Sequence, residues 1–498
     1  MIKDFELRLA LWGRPAPRTR PAAQCAAPPR RVTNPPQVAN LPHMLIAAIL
    51  AMSVAAAQPR ERIAVSPDGH FLQYQDGRPF FWLGDTAWLL FERLGREDTE
   101  RYLEDRRRKG FTVIQAMLLH GVTARSAGGA AALLDRDPGR PNTVPGGYWD
   151  NVDWVVDQAA AKGMFVAMVP AWGAVAKAGQ LNADNVAAYA TFLGRRYWDK
   201  PNVVWICGGD TPGGENTEVW KKLGQTLKAE DPGHLVTFHP FGRTQSSTWF
   251  HNEPWLDFNM FQSGHERYDQ DISSPHRYGE DNWRYVRDDY ARTPPKPVVD
   301  GEPSYEGIPQ GLHDTTQPYW TGADSRRYAW WSVFAGAFGH TYGDSAVMQF
   351  YRPGFGRGSY GPRKPWTEAI DDPGAGQMQF LKALMLSRPY FERVPDQSPI
   401  AGTNGTKYDY VIATRGAGYL FAYTYTGRPF QIRMGAISGK RVQAWWYSPR
   451  DGSARAIGAF ANRGVQSFTP PGQPADGNDW VLVLDDVAKK FPMGGNRP

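Results

Sequence analysis

Val203-Val204-Trp205-Ile206-Cys207-Gly208-Gly209-Asp210 decides the fold. β-branched and aromatic residues lead into two glycines and a carboxylate. The apolar run has the length of a buried strand and is short for a helix of equal burial. The glycines allow a sharp turn and leave room for a bulky ligand. In a barrel of parallel strands, Asp210 would stand at the C-terminal mouth, where active sites form. Asp after a strand also caps the next helix, so the residue alone leaves both roles open.

The surrounding chain repeats this pattern. Ile63 to Phe80 predicts a hairpin-rich lead-in, with Asp68-Gly69 and Asp76-Gly77 as turns. Strand signals follow at Phe81–Gly84, Thr112–Leu118, Phe165–Val169, Val203–Asp210, Leu235–Phe238, Asp257–Met260, Pro297–Gly301 and Ala337–Gly339. Helical segments separate them, around 96–109, 151–162, 183–197, 215–229, 281–291 and 323–335. This alternation predicts an α/β fold, a (β/α)8 TIM barrel. An open doubly wound sheet is the alternative, but no G-x-G-x-x-G follows an early strand. The character changes beyond Pro395. Runs at 408–414, 419–425, 441–447 and 480–484 predict a small all-β sandwich, on which the barrel would lean through Trp445 and Trp446. The expected domains are a leader over 1–57, a catalytic barrel over 58–394 and the sandwich over 395–498.

The formal charge of +6 belongs to the leader. Seven basic residues against Asp4 and Glu6 give residues 1–57 a charge of +5, leaving +1 for the rest. The body gives no electrostatic reason to expect nucleic acid as a partner. Residues 44–57, from Met44 to Ala57, form an apolar stretch too short for an ordinary membrane span, ending in three alanines. This reads as the h-region of a signal peptide, so the mature protein is expected to be secreted or periplasmic and free of the membrane. The two cysteines are Cys25, in the leader, and Cys207. No internal disulfide is expected after cleavage, and Cys207 reads as a buried, inert thiol.

Polar residues at the strand ends are the candidates for chemistry: Asp85, His120, Trp172, Asp210, His239, Gln262, Glu302, Tyr342 and Asp344. Asp210 and Glu302, ending strands four and seven, could flank a glycosidic bond. One carboxyl would protonate the poor leaving group, and the other would attack or activate water. Alternation places Asp300 on the same face as Glu302, with Glu302 nearer the mouth. Asp85 reads equally as a helix cap and as a contact for substrate hydroxyls. His120, Trp172, His239 and Tyr342 complete the expected substrate contacts. The histidines lie on separate loops and lack H-E-x-x-H spacing, so neither metal nor cofactor is expected. The Gly-rich excursion at 121–147 reads as an active-site loop.

Four runs carry a resemblance: Phe81-Trp82-Leu83-Gly84-Asp85-Thr86-Ala87-Trp88, Gly110-Phe111-Thr112-Val113-Ile114-Gln115, Trp205-Ile206-Cys207-Gly208-Gly209-Asp210 and Gly301-Glu302-Pro303-Ser304-Tyr305-Glu306. In this order they resemble the apiosidase-like glycoside hydrolases, family 140, over roughly residues 62–390. The region after 395 resembles the small β domain that commonly follows, labelled collagen-binding. The resemblance implies a TIM barrel, Asp210 and Glu302 as the catalytic pair, and cleavage of apiose linkages in the plant pectin rhamnogalacturonan II. The alternatives are a glycanase on another polysaccharide and a non-catalytic carbohydrate- or matrix-binding protein.

Overall fold

The computed structural model describes residues 62–270, 278–354 and 356–492. The expected leader and its h-region lie outside them. Among the described residues, no helix is long and apolar enough to cross a membrane.

The lead-in is an antiparallel sheet of β1 (Ile63–Val65), β2 (Leu72–Tyr74) and β3 (Pro79–Phe80). The barrel follows. Its parallel strands are β4 (Trp82–Thr86), β5 (Val113–Met117), β6 (Phe165–Val169), β7 (Val203–Thr211) and β8 (Val236–Pro240). After the short β9 (Thr244–Gln245), which runs antiparallel to its neighbour, come β10 (Asn259–Gln262), β11 (Val298–Glu302) and β12 (Gly339–Tyr342). Hydrogen bonding links them in the order β8-β7-β6-β5-β4-β12-β11-β10-β9. The ring closes between β8 and β10. There the Asp257 N–H donates to the Val236 carbonyl at 2.8 Å, and Thr237 Oγ1 donates to the Phe258 carbonyl at 2.7 Å. All eight expected barrel strands are present, the last starting two residues later than the apolar run suggested.

Alternation along each strand sorts the side chains. On β7, Val204 and Ile206 join the core that holds Trp82, Phe258 and Phe338. Val203, Trp205 and Cys207 pack among the helices instead. Trp82 lies edge-on to Phe338 at 6.1 Å and donates from Nε1 to Thr341 Oγ1 at 3.1 Å, so the interior is filled. Gln115 Nε2 donates across it to the Gly301 carbonyl at 3.0 Å. Burial raises the Cys207 thiol pKa, consistent with an unreactive group.

The helices ring this barrel. Those that matter below are α1 (Leu90–Arg93), α2 (Arg96–Arg108), α3 (Tyr148–Ala161), α4 (Gly173–Lys177), α5 (Val186–Tyr197), α6 (Thr217–Glu230), α7 (Ser247–Phe250), α8 (Asn282–Tyr290), α9 (Gly322–Phe334), α10 (Trp366–Ala369) and α11 (Pro373–Leu386). A capping box of Thr321 and Asp324 starts α9.

Beyond α11 the chain is antiparallel β. One sheet has the order β13 (Val394–Pro395), β15 (Ile412–Arg415), β16 (Tyr419–Thr424), β21 (Trp480–Asp486), β18 (Arg441–Tyr447), β19 (Ala454–Ala461). The other is β14 (Ile400–Ala401), β17 (Phe430–Arg433), β20 (Val465–Phe468). The larger sheet packs on α9, where Trp330 stacks on Tyr423 at 5.7 Å between ring centres. Two buried ion pairs cross the junction, Arg326 to Asp479 at 2.9 Å and Arg388 to Asp485 at 2.7 Å. Trp445 packs against the core shared with the barrel, as expected. Trp446 does not; it belongs to the sandwich's own core.

Candidate active site

Asp210 projects from a bulge at the end of β7. Gly208 pairs with His239, but the next pair is Thr211 with Pro240, so Gly209 and Asp210 have no partners in β8. Gly208, Gly209 and Asp210 take φ of +83°, +108° and +51°, the left-handed region. A Cβ on Gly209 would lie 2.5 Å from Trp172 Cε3. The backbone can therefore turn against the indole only if residue 209 is glycine. The turn leaves the Asp210 side chain solvent-accessible, while protein groups still surround its carboxyl on the floor of the mouth.

Glu302 is aimed by a second bulge. Phe261 pairs with Asp300 and Gln262 pairs with Glu302, which makes Gly301 an extra residue in β11. The bulge breaks the alternation, so Asp300 and Glu302 do not share a face as expected. Asp300 turns to the helix layer, accepting from Ser263 Oγ at 2.5 Å and from Asn282 Nδ2 of α8 at 3.0 Å. Glu302 turns to the mouth.

Two histidines hold Glu302. His265 Nε2 lies 3.0 Å from Oε1. The Tyr305 backbone N–H points at His265 Nδ1, 3.4 Å away, which assigns the ring proton to Nε2. His239 Nε2 lies 3.1 Å from Oε2, but the angle is poor and neither atom completes a hydrogen bond. That contact is electrostatic, and Oε2 keeps a free lone pair. Burial alone would raise the Glu302 pKa; His239 and His265 outweigh it and bring it down to about 2. Asp210 moves the other way. Loss of hydration, then the charge of Glu302, raise its pKa to about 6, against the opposing pull of His239, His265 and a bond from Gln262. Two carboxyls facing one mouth are thus driven apart in acidity.

Rings wall this pair. Trp88 lies 5.2 Å from Trp172 and 5.5 Å from His239, centre to centre, and Trp172 lies 5.8 Å from His239. Trp88 Nε1 donates to the Tyr305 hydroxyl at 3.2 Å. Burial, then Glu302, raise the Tyr305 pKa. Burial, then Asp210 and Glu302, raise that of Tyr360.

Of the expected substrate contacts, the structure brings Trp172 and His239 to the carboxyls. His120 lies three residues past the end of β5, where its N–H donates to Glu92 Oε1 of α1 at 3.3 Å; burial, then Arg93, lower its pKa. Asp85 and Tyr342 are corrections. Trp82 points inward, so three residues later Asp85 points outward. It is fully buried, pairs with Arg106 of α2 at 2.7 Å and accepts from the Tyr102 hydroxyl. Tyr342 pairs with Asp85 in register and shares its orientation. Its hydroxyl donates to Glu306 Oε2 at 2.7 Å, and Glu306 also accepts from Gly374 N of α11 at 2.9 Å. Neither residue reaches the mouth. Asp344, also at a strand end, caps the Ala346 and Val347 N–H groups.

Sequence reasoning assigns Tyr305, Trp88 and Tyr360 no site role, and weighs His265 only among the histidines on separate loops, as a metal ligand. His265 and Tyr305 each lie three residues beyond a strand end, as His120 and Trp172 do, so position along the chain does not tell them apart. The 121–147 excursion joins residues 179–185 around a polar cavity of about 570 Å³ that includes Arg136, Asp137, Gln180 and Asn185. Its lining contains neither carboxylate.

The chain is similar to known proteins over both of its domains. The family model described as apiosidase-like, catalytic domain, matches residues 66–392. A second, described as a collagen-binding domain of a collagenase, matches residues 394–485. A solved structure titled glycoside hydrolase is 48% identical with a TM-score of 0.84, covering 87% of this chain and 98% of its own. A structure from Bacteroides vulgatus, titled glycoside hydrolase family 5, is 47% identical with a TM-score of 0.84, covering 88% of this chain and 95% of its own. No curated protein matches the chain.

Proposed function

The chain belongs to the apiosidase-like glycoside hydrolases, and on that premise we propose that it cleaves apiose linkages in the side chains of rhamnogalacturonan II by a retaining mechanism. One observation carries the mechanistic part: the two histidines that hold Glu302 as an anion beside the carboxyl of Asp210, whose pKa is raised to about 6. Glu302 Oε2, free of a hydrogen bond, attacks the anomeric carbon as the glycosidic C–O bond breaks. Asp210 gives its proton to the departing oxygen. The glycosyl–Glu302 ester is neutral, so one of the influences raising the Asp210 pKa disappears. Asp210, now a carboxylate, takes a proton from water as that water attacks the same carbon. Glu302 is released as an anion and Asp210 ends protonated, so the cycle closes.

Trp172, part-exposed beside Gly209, offers a ring face for the C–H surface of a sugar. The apiose assignment rests on family membership, and the relative titled family 5 favours a second reading, a glycanase on another plant polysaccharide. Export follows from the expected signal peptide. The test is a panel of pectic and hemicellulosic oligosaccharides, with released sugars identified by chromatography. Apiose release from rhamnogalacturonan II fragments supports the proposal; turnover restricted to β-linked glucans or mannans contradicts it.

A further inference from the structure

We propose that the C-terminal β domain is part of the catalytic machinery's support, with Tyr408 a positioning residue for His265 and, through it, for Glu302. The chemistry thus supported is that of the preceding proposal.

The path is short and buried. The segment after β10 carries His265 and then Tyr268. The Tyr268 N–H donates to Glu280 Oε1 at 3.3 Å. Glu280 is buried and pairs with Arg327 of α9 at 2.6 Å. The remaining ligand of this carboxylate comes from the β domain: the Tyr408 hydroxyl donates at 3.0 Å and 2.9 Å to its two oxygens. The Tyr408 ring packs on Tyr268 at 5.8 Å, the Arg327 guanidinium stands 4.7 Å from the Tyr408 ring, and Lys407 Nζ stands 5.0 Å from the Tyr268 ring. Glu280 therefore ties three parts of the molecule to one point: the His265 segment, α9 and the β domain. On its other side the His265 carbonyl accepts from Trp320 Nε1 at 3.1 Å and from Gly311 N at 3.0 Å. The segment is clamped at both ends, and one clamp is made by the β domain. A buried carboxylate that loses a ligand pulls on its remaining ones. The groups around the His265 ring that would register the change are Glu302, Asp210 and Tyr305, with the Glu266–Arg243 pair next in sequence.

The test is Tyr408→Phe in the full chain, which removes one hydroxyl and keeps the ring. The probe is the side-chain 15N–1H signal of His265 in [15N]histidine-labelled protein, assigned by its loss in His265→Gln. This arm needs no substrate, so it stands whichever glycan is cleaved. A second arm measures turnover on any glycan the wild type hydrolyses. Tyr408→Phe should shift the His265 signal, lower kcat about threefold to tenfold, move the acid limb of the pH profile upward and leave KM unchanged. Tyr423→Phe is the control. It removes the hydroxyl that lies 3.2 Å from Asp479, elsewhere on the same domain junction, and should leave the His265 signal in place. A His265 signal unchanged in Tyr408→Phe overturns the proposal, as does an equal shift in both variants, which would mean general loosening of the junction.

Discussion

His265 Nε2 donates to Glu302 Oε1 at 3.0 Å, across 37 residues of chain. With His239 opposite, 3.1 Å from Oε2, it makes the Glu302 carboxylate the most stabilised anion of the mouth. A barrel brings these residues together only because β8, β10 and β11 all end on one rim.

The carboxyl roles separate by leaving group. Glu302→Gln should lower kcat/KM by about 10²–10⁴-fold on every substrate. Asp210→Asn should cost as much on a natural glycoside but far less on an aryl glycoside with an acidic phenol, which needs no proton to leave. Steady-state kinetics on both substrates check this, with circular dichroism to show that each variant folds. Equal loss on both substrates for Asp210→Asn would remove its role as acid.

The pH profile should be bell-shaped. Activity needs Glu302 ionised and Asp210 protonated, so it rises through about pH 2 and falls through about pH 6. His265→Ala removes a group that lowers the Glu302 pKa. The acid limb should then move upward, towards the ordinary glutamate value of 4.5. The folded-state pKa of Glu302 is depressed, so its stabilising contribution is present above pH 4.5 and disappears as pH falls through about 2. Denaturant melts of wild type and Glu302→Gln across this window should converge at the acid end.

Gly209→Ala tests the turn. The added Cβ would meet Trp172 at 2.5 Å and would strain a φ of +108°. The variant should lose about 1–3 kcal/mol of stability and most of its activity, because Asp210 is the next residue. Thermal melts and kcat measure the two effects.

The domain junction is tested at Asp479, fully buried and paired with Arg326 at 2.9 Å and Arg450 at 3.0 Å. Asp479→Ala strands the buried Arg326 guanidinium and should cost about 3–5 kcal/mol. A melting temperature within a degree of wild type would show that the two domains do not depend on this pair.

The strands were legible because each is a short buried run closed by Gly, Pro or a polar residue. Which polar residue at a strand end faces the mouth was not. On β4 and β12, alternation counted from the inward Trp82 and Thr341 would have sent Asp85 and Tyr342 outward to Arg106 and Glu306. On β11 alternation fails, because the Gly301 bulge turns Glu302 away from the face of Asp300. Bulges depend on neighbouring strands, and one strand's sequence shows only a glycine. His265 and Tyr305 were obscured for a related reason: they stand on the loops beyond the strand ends, where spacing carries no period.

The central claim is that Glu302 is a nucleophile. Retaining enzymes hold their carboxyls about 5–5.5 Å apart, and inverting enzymes roughly 6.5–9.5 Å apart to admit water. The most direct measurement follows the anomeric configuration of the first-formed sugar by 1H NMR, before mutarotation. Two displacements at one carbon, the first by Glu302, predict a product with the substrate's configuration. A first-formed product of inverted configuration would contradict the account, leaving Glu302 as a base that activates water.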